Sequence, residues 1–417
     1  MRYLKITLLI GFAVALVVAG LYEVSAFSML DLSLCSFMGR ASRPSSHRLA
    51  TEYILFVFLA LGIAWTTVDI NRPSFKIVVA AGALVEVLAL PLVLNLYHIF
   101  FSPFPPALSV CLSFSAAFAY SRSEAGRRKR TLRGVLGVRL SNKAFAALVD
   151  SDVPLHFEGQ LRETSIVVCE IFNHDTLVEG MPAADYVAMT NQFLEIGSEF
   201  LLDRGAYLDE CDGESLRVIF GSLIEDSQHA IKACEAAVVL AQRLENLNLE
   251  CESMWHNKFD FRIGINSGEV VAAAYGSKRL GSFSIAGESV EFTRRLCSAN
   301  MIYGTRILIG PETYALAADA IEIRPVELIR GKVPNSRSEI YELLAMKNVL
   351  SVEELQKRDM FWKGIVYYRE QKWDDAMEHF KAALSMTGTD APVEFYIRRI
   401  EHLRTGTPPL DWDNARI

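Results

Sequence analysis

Residues 6–21, Ile-Thr-Leu-Leu-Ile-Gly-Phe-Ala-Val-Ala-Leu-Val-Val-Ala-Gly-Leu, carry no charged side chain, and further apolar runs cover about 53–68, 77–97 and 99–120. Each run is close to the ~20 residues that a helix needs to cross a hydrocarbon core of about 30 Å. A chain with 51% hydrophobic residues and positive mean hydropathy does not suit a wholly soluble protein, and the excess sits at the front. We therefore expect a membrane region over 1–121 with four transmembrane helices at about 6–26, 52–69, 76–97 and 99–120.

Arg2 and Lys5 precede the first run, as in a cleaved signal peptide, but no small-residue cleavage site follows directly, although Ala26 stands nearby. The first helix is therefore expected to be retained. Arg122, Arg127, Arg128, Lys129, Arg130 and Arg133 follow the last run and should be cytoplasmic. An even number of spans then puts the N-terminus inside as well, a cell-membrane, multi-pass arrangement that Arg40, Arg43 and Arg48 in the first loop oppose. Glu86, an acid within the third span, should face the bundle or a partner rather than lipid.

The rest of the chain is soluble in character. Its cysteines lack metal-ligand spacing and read as reduced thiols, with Cys211 packing in a core. A net charge of −7, with the basic residues concentrated beside the membrane, leaves no nucleic-acid footprint. Residues 122–155 form a basic juxtamembrane segment and connector, in contact with membrane lipid and ending near Val153-Pro154.

Beyond the connector the pattern alternates. Ser165-Ile-Val-Val-Cys169 is too short for a helix and rich in β-branched residues, so it reads as a buried strand closed by Glu170. A helix is expected from Pro182 to about Asp203, with Pro at its first turn and Gly205 past its end. Leu208–Cys211 and Ser215–Phe220 flank Asp212-Gly213 as a hairpin in which Glu214 opens the outgoing strand. Next come a helix from Asp226 to about Leu247, strands Phe259–Asn266 and Glu269–Ala274 joined by Ser267-Gly268, a helix from about Glu288 to Ala299, and strand Arg306–Ile309. The order strand, helix, hairpin, helix, strand is that of an α+β, split βαβ unit. If the first strand neighbours the hairpin, Glu170 and Glu214 converge, and paired carboxylates at strand ends can hold a divalent metal against phosphate. Alone, an acidic hairpin tip is more often a solvated turn.

Phe157-Glu-Gly-Gln-Leu-Arg-Glu-Thr-Ser-Ile-Val-Val-Cys-Glu170, Gly205–Gly221, Arg262–Val271 and Phe283–Leu296 together resemble the class III adenylyl/guanylyl cyclase domain, bacterial and membrane-anchored in type, over about residues 156–345. The separation of the two acids, 214 − 170 = 44 residues, also fits. The resemblance implies a ferredoxin-like (βαββαβ) fold and conversion of ATP or GTP to its 3′,5′-cyclic monophosphate and pyrophosphate. It also implies two Mg2+ or Mn2+ ions at Glu170 and Glu214, Ile171 among the nucleotide-binding residues, and an active unit that is a homodimer or heterodimer. Arg295 falls where the family's arginine stabilises charge on the α-phosphate, and Lys332, with Arg330 as alternative, falls near the phosphate-binding lysine. Glu210 and Ser284 fall at the base-selecting positions, and a carboxylate there favours GTP, since it accepts from the guanine N1 and N2 donors.

Several residues depart from the family pattern. Both metal positions are Glu where Asp is usual, Glu291 replaces the ribose-orienting asparagine, and Asn173-His174-Asp175 replaces Gly-Phe-Thr in the loop after Glu170. Glu291 and Arg295 have the spacing and order for a helical ion pair. A catalytically silent homologue, acting as a regulatory or dimerisation partner, is therefore the alternative to an enzyme. Gly364, Tyr367, Ala376, Phe380 and Ala383 have the offsets of one tetratricopeptide (TPR) repeat in a helical extension over 352–417. Such tails, ending in Pro408-Pro-Leu-Asp-Trp412, resemble those of cyclases with an extracellular CHASE2-type sensor, which has no counterpart in the ~25 residues available outside here.

Overall fold

The computed structural model describes residues 2–37, 50–70, 73–96, 100–123, 131–151, 157–277, 281–330, 337–386 and 388–405. It divides into two compact units, Met1–Gly134 with Ala146–Asp152, and Val135–Phe145 with Val153–Ile417.

The first unit contains helices α1 (Arg2–Glu23), α2 (Ser28–Phe37), α3 (Ala50–Asp69), α4 (Pro73–Leu96) and α5 (Phe104–Arg122). All but the short α2 are long and apolar enough to cross a membrane. Val14, Val18 and Tyr22 of α1 pack against Phe56 and Ala60 of α3. Gly11 makes their approach close, because a Cβ there would lie 2.5 Å from Leu61 Cδ2. Tyr22 donates to Glu52 and Tyr53 to Glu23, so these acids at the helix ends are hydrogen-bonded. Glu86 is exposed on α4 and has no bonded partner among the described residues, which rules out the expected placement towards the bundle interior of its own chain. The basic residues Arg127, Arg128, Lys129 and Arg130, and the first-loop arginines Arg40, Arg43 and Arg48, lie outside the described residues. Within the connector, Asn142–Asp150 forms helix α6.

The second unit is built on an eight-stranded sheet. Its strands are β1 (Gln160–Ile171), β2 (Tyr207–Cys211), β3 (Ser215–Phe220), β4 (Phe261–Tyr275), β5 (Ser282–Ala286), β6 (Ile307–Ile309), β7 (Ile321–Arg330) and β8 (Arg337–Met346). They lie in the order β2-β3-β1-β4-β6-β8-β7, with β5 added to β4. Among the described residues only the β4–β6 pair is parallel.

Ser267-Gly268 is not the expected turn. β4 runs through it unbroken, paired with β1 from Phe261↔Ile171 to Ala272↔Gln160. The long partner strand overrides the local Ser-Gly signal, and buried hydroxyls reinforce the register: Ser267 Oγ lies 2.6 Å from Ser165 Oγ and 3.0 Å from Thr313 Oγ1. The glycine serves packing instead, since a Cβ at Gly268 would meet Ser289 Oγ at 2.5 Å.

Alternate residues of the central strands face opposite layers. Val167 and Cys169 of β1 and Ile263 and Ile265 of β4 face a core closed by α8 (Ala183–Asp203) and α9 (His229–Trp255), where Phe193 and Leu240 are fully buried. The other face receives α10 (Glu288–Tyr303), seated on Gly264, whose Cβ would lie 2.5 Å from both Thr293 O and Cys297 N. β6 follows α10, and α11 (Pro311–Ala317) leads to the β7–β8 hairpin.

Helices α12 (Val352–Arg369), α13 (Trp373–Ser385) and α14 (Ala391–Thr405) end the described chain. The first opens with a capping box, Ser351 and Glu354 exchanging bonds. Phe361, Phe380 and Tyr396 form the centre of their own small core, and Gly364 lets the Phe380 ring approach, with a Cβ there 2.6 Å from Cε1. The group is fastened to β7–β8 by Arg324, whose guanidinium donates to Glu342 at 2.5 Å and to both Asp390 oxygens at 2.9 and 3.1 Å. Lys357 Nζ adds a bond to Asp390 at 2.6 Å. Arg358–Glu322, Arg369–Glu339 and Arg399–Glu327 pairs surround this contact, and Tyr396 donates to Val326 O.

Burial alone would raise the Asp390 carboxyl, but Arg324 and Lys357 outweigh it and hold it below the usual carboxylate range. Removing one partner of a buried pair leaves the other charge unpaired. Asp390→Ala should therefore cost about 3–5 kcal/mol in denaturant unfolding. The depressed carboxyl also fixes the pH window: this stabilisation is present above the unfolded-state value and is lost as pH falls through the lower folded-state value. The gap between wild type and variant should accordingly close in acid.

Candidate functional site

β1 ends at Ile171 because the chain turns there into α7 (His174–Gly180), a short helix where a loop was expected over Asn173–Asp175. Asn173 ties that corner to the start of β4, donating to Lys258 O at 2.9 Å and accepting from Asp260 N at 2.8 Å. The adjacent β2–β3 turn is built by Asp212, whose Oδ1 accepts from Glu214 N at 3.0 Å and Ser215 N at 2.7 Å. Glu214 lies in this turn rather than opening β3, which begins at Ser215.

Glu170 pairs with Ser215 across the ladder, and Ile171 N donates to Glu214 O at 2.9 Å. The two acids therefore meet at one end of the sheet, with Ile171 buried between their strands. Burial raises the Glu170 carboxyl above its usual range, the neighbouring carboxylates of Asp212, Glu210 and Glu214 add to the rise, and Arg294 opposes it. Glu214 is half exposed, and its Oε1 lies 2.9 Å from His174 Nε2, which also approaches Asp175 Oδ1 at 3.2 Å.

Glu210 is not an open strand-edge acid. The β2–β3 register shifts between Leu208 and Glu210, a bulge that re-aims the side chain. Its Oε2 receives Arg217 Nη1 and Arg294 Nη2, each at 2.7 Å, while Arg217 Nε bonds the buried Asp209 carboxylate at 2.7 Å.

The remaining candidates lie apart from the acids. Ser284 is half-buried on β5 opposite Ala273 of β4. Glu291 and Arg295 are exposed on the first half of α10, but the expected ion pair between them does not form among the described residues. The Arg295 guanidinium instead lies over the Phe292 ring, 5.4 Å from its centroid, and an exposed pair gains too little to hold two long side chains together. Arg330 ends β7, at the opposite edge of the sheet from β2, so one chain does not bring it to Glu170. Lys332 lies outside the described residues. Sequence reasoning missed Arg294, Arg217 and His174. Only Arg217 was readable in advance, as an opposite charge directly across the hairpin from Glu210.

Among the described residues no group of three or more His, Cys, Asp or Glu side chains is arranged to hold a metal ion. What the geometry offers is a pair of carboxylates in a crowd of negative charge. Residues 158–344 match the family model described as the adenylate and guanylate cyclase catalytic domain. This stretch has a class III adenylyl/guanylyl cyclase-like fold. Adenylate cyclase 1 of Rhizobium meliloti (strain 1021) is 25% identical over 202 residues, 48% of this chain and 30% of that protein. The chain thus spans about a third of the length of the curated relatives it matches. Among solved structures, the guanylyl cyclase Cya2 is 22% identical with a TM-score of 0.43 and covers 46% of this chain and 98% of its own. The adenylyl cyclase CyaB from P. aeruginosa is 24% identical with a TM-score of 0.42, covering 46% of this chain and 100% of its own. With its four long apolar helices, the chain is consistent with a multi-pass membrane protein bearing a cytoplasmic cyclase-like domain.

Two measurements check this geometry. Gly264→Ala forces α10 off β4 and should cost about 1–3 kcal/mol in denaturant unfolding. Glu170→Gln removes a carboxylate whose folded-state value is raised. A raised group favours the fold below its unfolded-state value and loses that contribution as pH rises through the folded-state one. The Gln variant should therefore melt above wild type at neutral pH in metal-free buffer, and the difference should vanish in acid.

Proposed function

We propose that this protein is a membrane-anchored class III purine nucleotide cyclase that converts ATP or GTP to the 3′,5′-cyclic monophosphate and pyrophosphate in intracellular signalling. The observation that carries the reading is the convergence of Glu170 and Glu214 at the end of β1 and the β2–β3 turn, inside the stretch that matches the cyclase model. The domain division follows: membrane region 1–121, connector 122–155, cyclase domain 156–345 and helical extension 352–417. The strand order β2-β3-β1-β4 supports a ferredoxin-like core, and the Gly364–Phe380 contact supports the TPR-like reading of the tail.

The donor set fits hard divalent cations. Mg2+ keeps several waters and is commonly held by only one or two carboxylates plus substrate phosphates, so a pair suffices without a cage. Burial is the main cause of the rise at Glu170, and the part that the neighbouring carboxylates add is what a cation relieves. Glu170 and Glu214 would hold two Mg2+ or Mn2+ ions, which when bound supply a more acidic ribose 3′-hydroxyl and neutralise the triphosphate. Arg295, exposed on α10, would stabilise charge on the α-phosphate, and Lys332 or Arg330 would hold the leaving phosphates. Ile171 would line the nucleotide pocket, and Glu291 would stand beside the ribose. Glu210 and Ser284 would select the base, in favour of GTP, once Glu210 is released from its arginines. Because Arg330 and the acids occupy opposite ends of the strand order, a complete site calls for two copies of the domain, as a homodimer or with a related partner.

A second reading is favoured by the bonds that already engage the site. His174 holds Glu214, and two arginines hold Glu210, as in a catalytically silent homologue that regulates a partner by dimerising. Full-length protein in detergent, supplied with ATP or GTP and Mn2+ or Mg2+, decides between them by mass spectrometry of the product. The expected result is a cyclic nucleotide whose formation falls about a hundredfold or more in Glu214→Ala, the size of losing several kcal/mol of metal-assisted catalysis. No product with either nucleotide and either metal would leave the silent homologue standing.

A further inference from the structure

We propose that Arg294 is a built-in counter-ion of the carboxylate cluster and sets how strongly the site attracts a divalent cation. The inference rests on the reading of Glu170 and Glu214 as the metal-holding pair.

Its basis is the path of one side chain. Gly264 seats α10 on β4 through Thr293 O and Cys297 N, and Cys297 Sγ donates to Arg262 O at 3.2 Å. Arg262 is the β4 residue directly opposite Glu170. Arg294 follows Thr293 and lies one turn before Cys297 on the same helix. Its Nη2 nevertheless bonds Glu210 on β2 at 2.7 Å. In the order β2-β3-β1-β4, a guanidinium that starts above β4 and ends on β2 must cross the end of β1, where Glu170 sits. Glu210, aimed by its bulge and also held by Arg217, fixes the far end of that crossing. The neighbouring Arg295 takes no such path, since it lies over Phe292.

A divalent cation arriving at Glu170 therefore meets a cluster that already contains a fixed positive charge. The repulsion is tempered by solvent, because the Arg294 and Glu210 side chains are 42% and 40% exposed. Even so, a unit charge about 8 Å from a divalent ion, at the near-aqueous dielectric of about 80 that such exposure brings, shifts the affinity by roughly three- to tenfold. Sequence similarity would direct attention to Arg295, whereas the fold turns its neighbour towards the acids.

The test is direct Mn2+ binding to the full chain in detergent at low ionic strength, read from the electron paramagnetic resonance signal of free Mn2+, with no turnover required. Arg294→Gln should bind Mn2+ about three- to tenfold more tightly than wild type. Arg294→Lys, which keeps the charge, should stay near wild type, and added salt should shrink the gap between Gln and wild type. Circular dichroism establishes that each variant is folded, and Arg294→Met provides a second neutral variant if Gln unfolds. Equal or weaker binding by the folded neutral variant, including no measurable binding, overturns the proposal. Glu170→Gln in both backgrounds separates the two layers. If it weakens Mn2+ binding while Arg294→Gln has no effect, only this inference fails. If Mn2+ binding is indifferent to Glu170→Gln, the metal-pair reading fails and this inference with it.

Discussion

The antiparallel ladder between β1 and β4 is the constraint on which the second unit depends. It spans the whole length of β1 and fixes which side chains face each layer. One face of the pair receives α8 and α9 over Val167, Cys169, Ile263 and Ile265, and the other receives α10 over Gly264. Slipping the register by one residue would turn Glu170 into the core and Cys169 out to the helix bearing Arg294. Buried hydroxyls lock the register: Ser165, Ser267 and Thr313 form a chain that His229 Nδ1 extends at 2.8 Å from Ser165 Oγ. Such groups are tolerated inside because they satisfy one another.

Electrostatics shapes the two ends of the sheet differently. At the β7–β8 end, acids and bases are matched, and the Arg324–Asp390–Glu342–Lys357 set joins the terminal helices to the domain. At the β1–β3 end, Glu170, Glu210, Asp212 and Glu214 outnumber the cations that reach them, and Glu170 is raised first by its burial and then by these neighbours. A fold can keep such an imbalance at a half-exposed edge, where solvent bears part of the repulsion.

Local pattern made much of this legible. The run Ser165–Cys169, the Asp212-Gly213 hairpin and the helices near Pro182–Asp203 and Asp226–Leu247 correspond to β1, β2–β3, α8 and α9, because each has a strong local signal of alternation, turn chemistry or period. Ser267-Gly268 misled because a two-residue turn signal competed with a partner strand long enough to extend β4 through it. The Glu291–Arg295 pair misled for a related reason. Helical spacing allows the contact, but nothing buries it, and the ring of Phe292 offers Arg295 an alternative. β7 and β8 are held by pairing with each other and by the helices that follow.

By itself the sequence determined that the front of this chain suits a membrane, that an α+β domain follows, and that Glu170 and Glu214 stand at the ends of strand-forming segments. Hydropathy, turn residues and spacing act over a few neighbours, and those neighbours are written in order along the chain. Only the tertiary structure decided which cation meets which acid. It gave Glu214 to His174 and Glu210 to Arg217 and Arg294, and it left Arg295 over a ring. The physical reason is that such contacts depend on a bulge in β2, a glycine under α10 and the strand order between them. These are distances between residues far apart in sequence, and no local pattern encodes them.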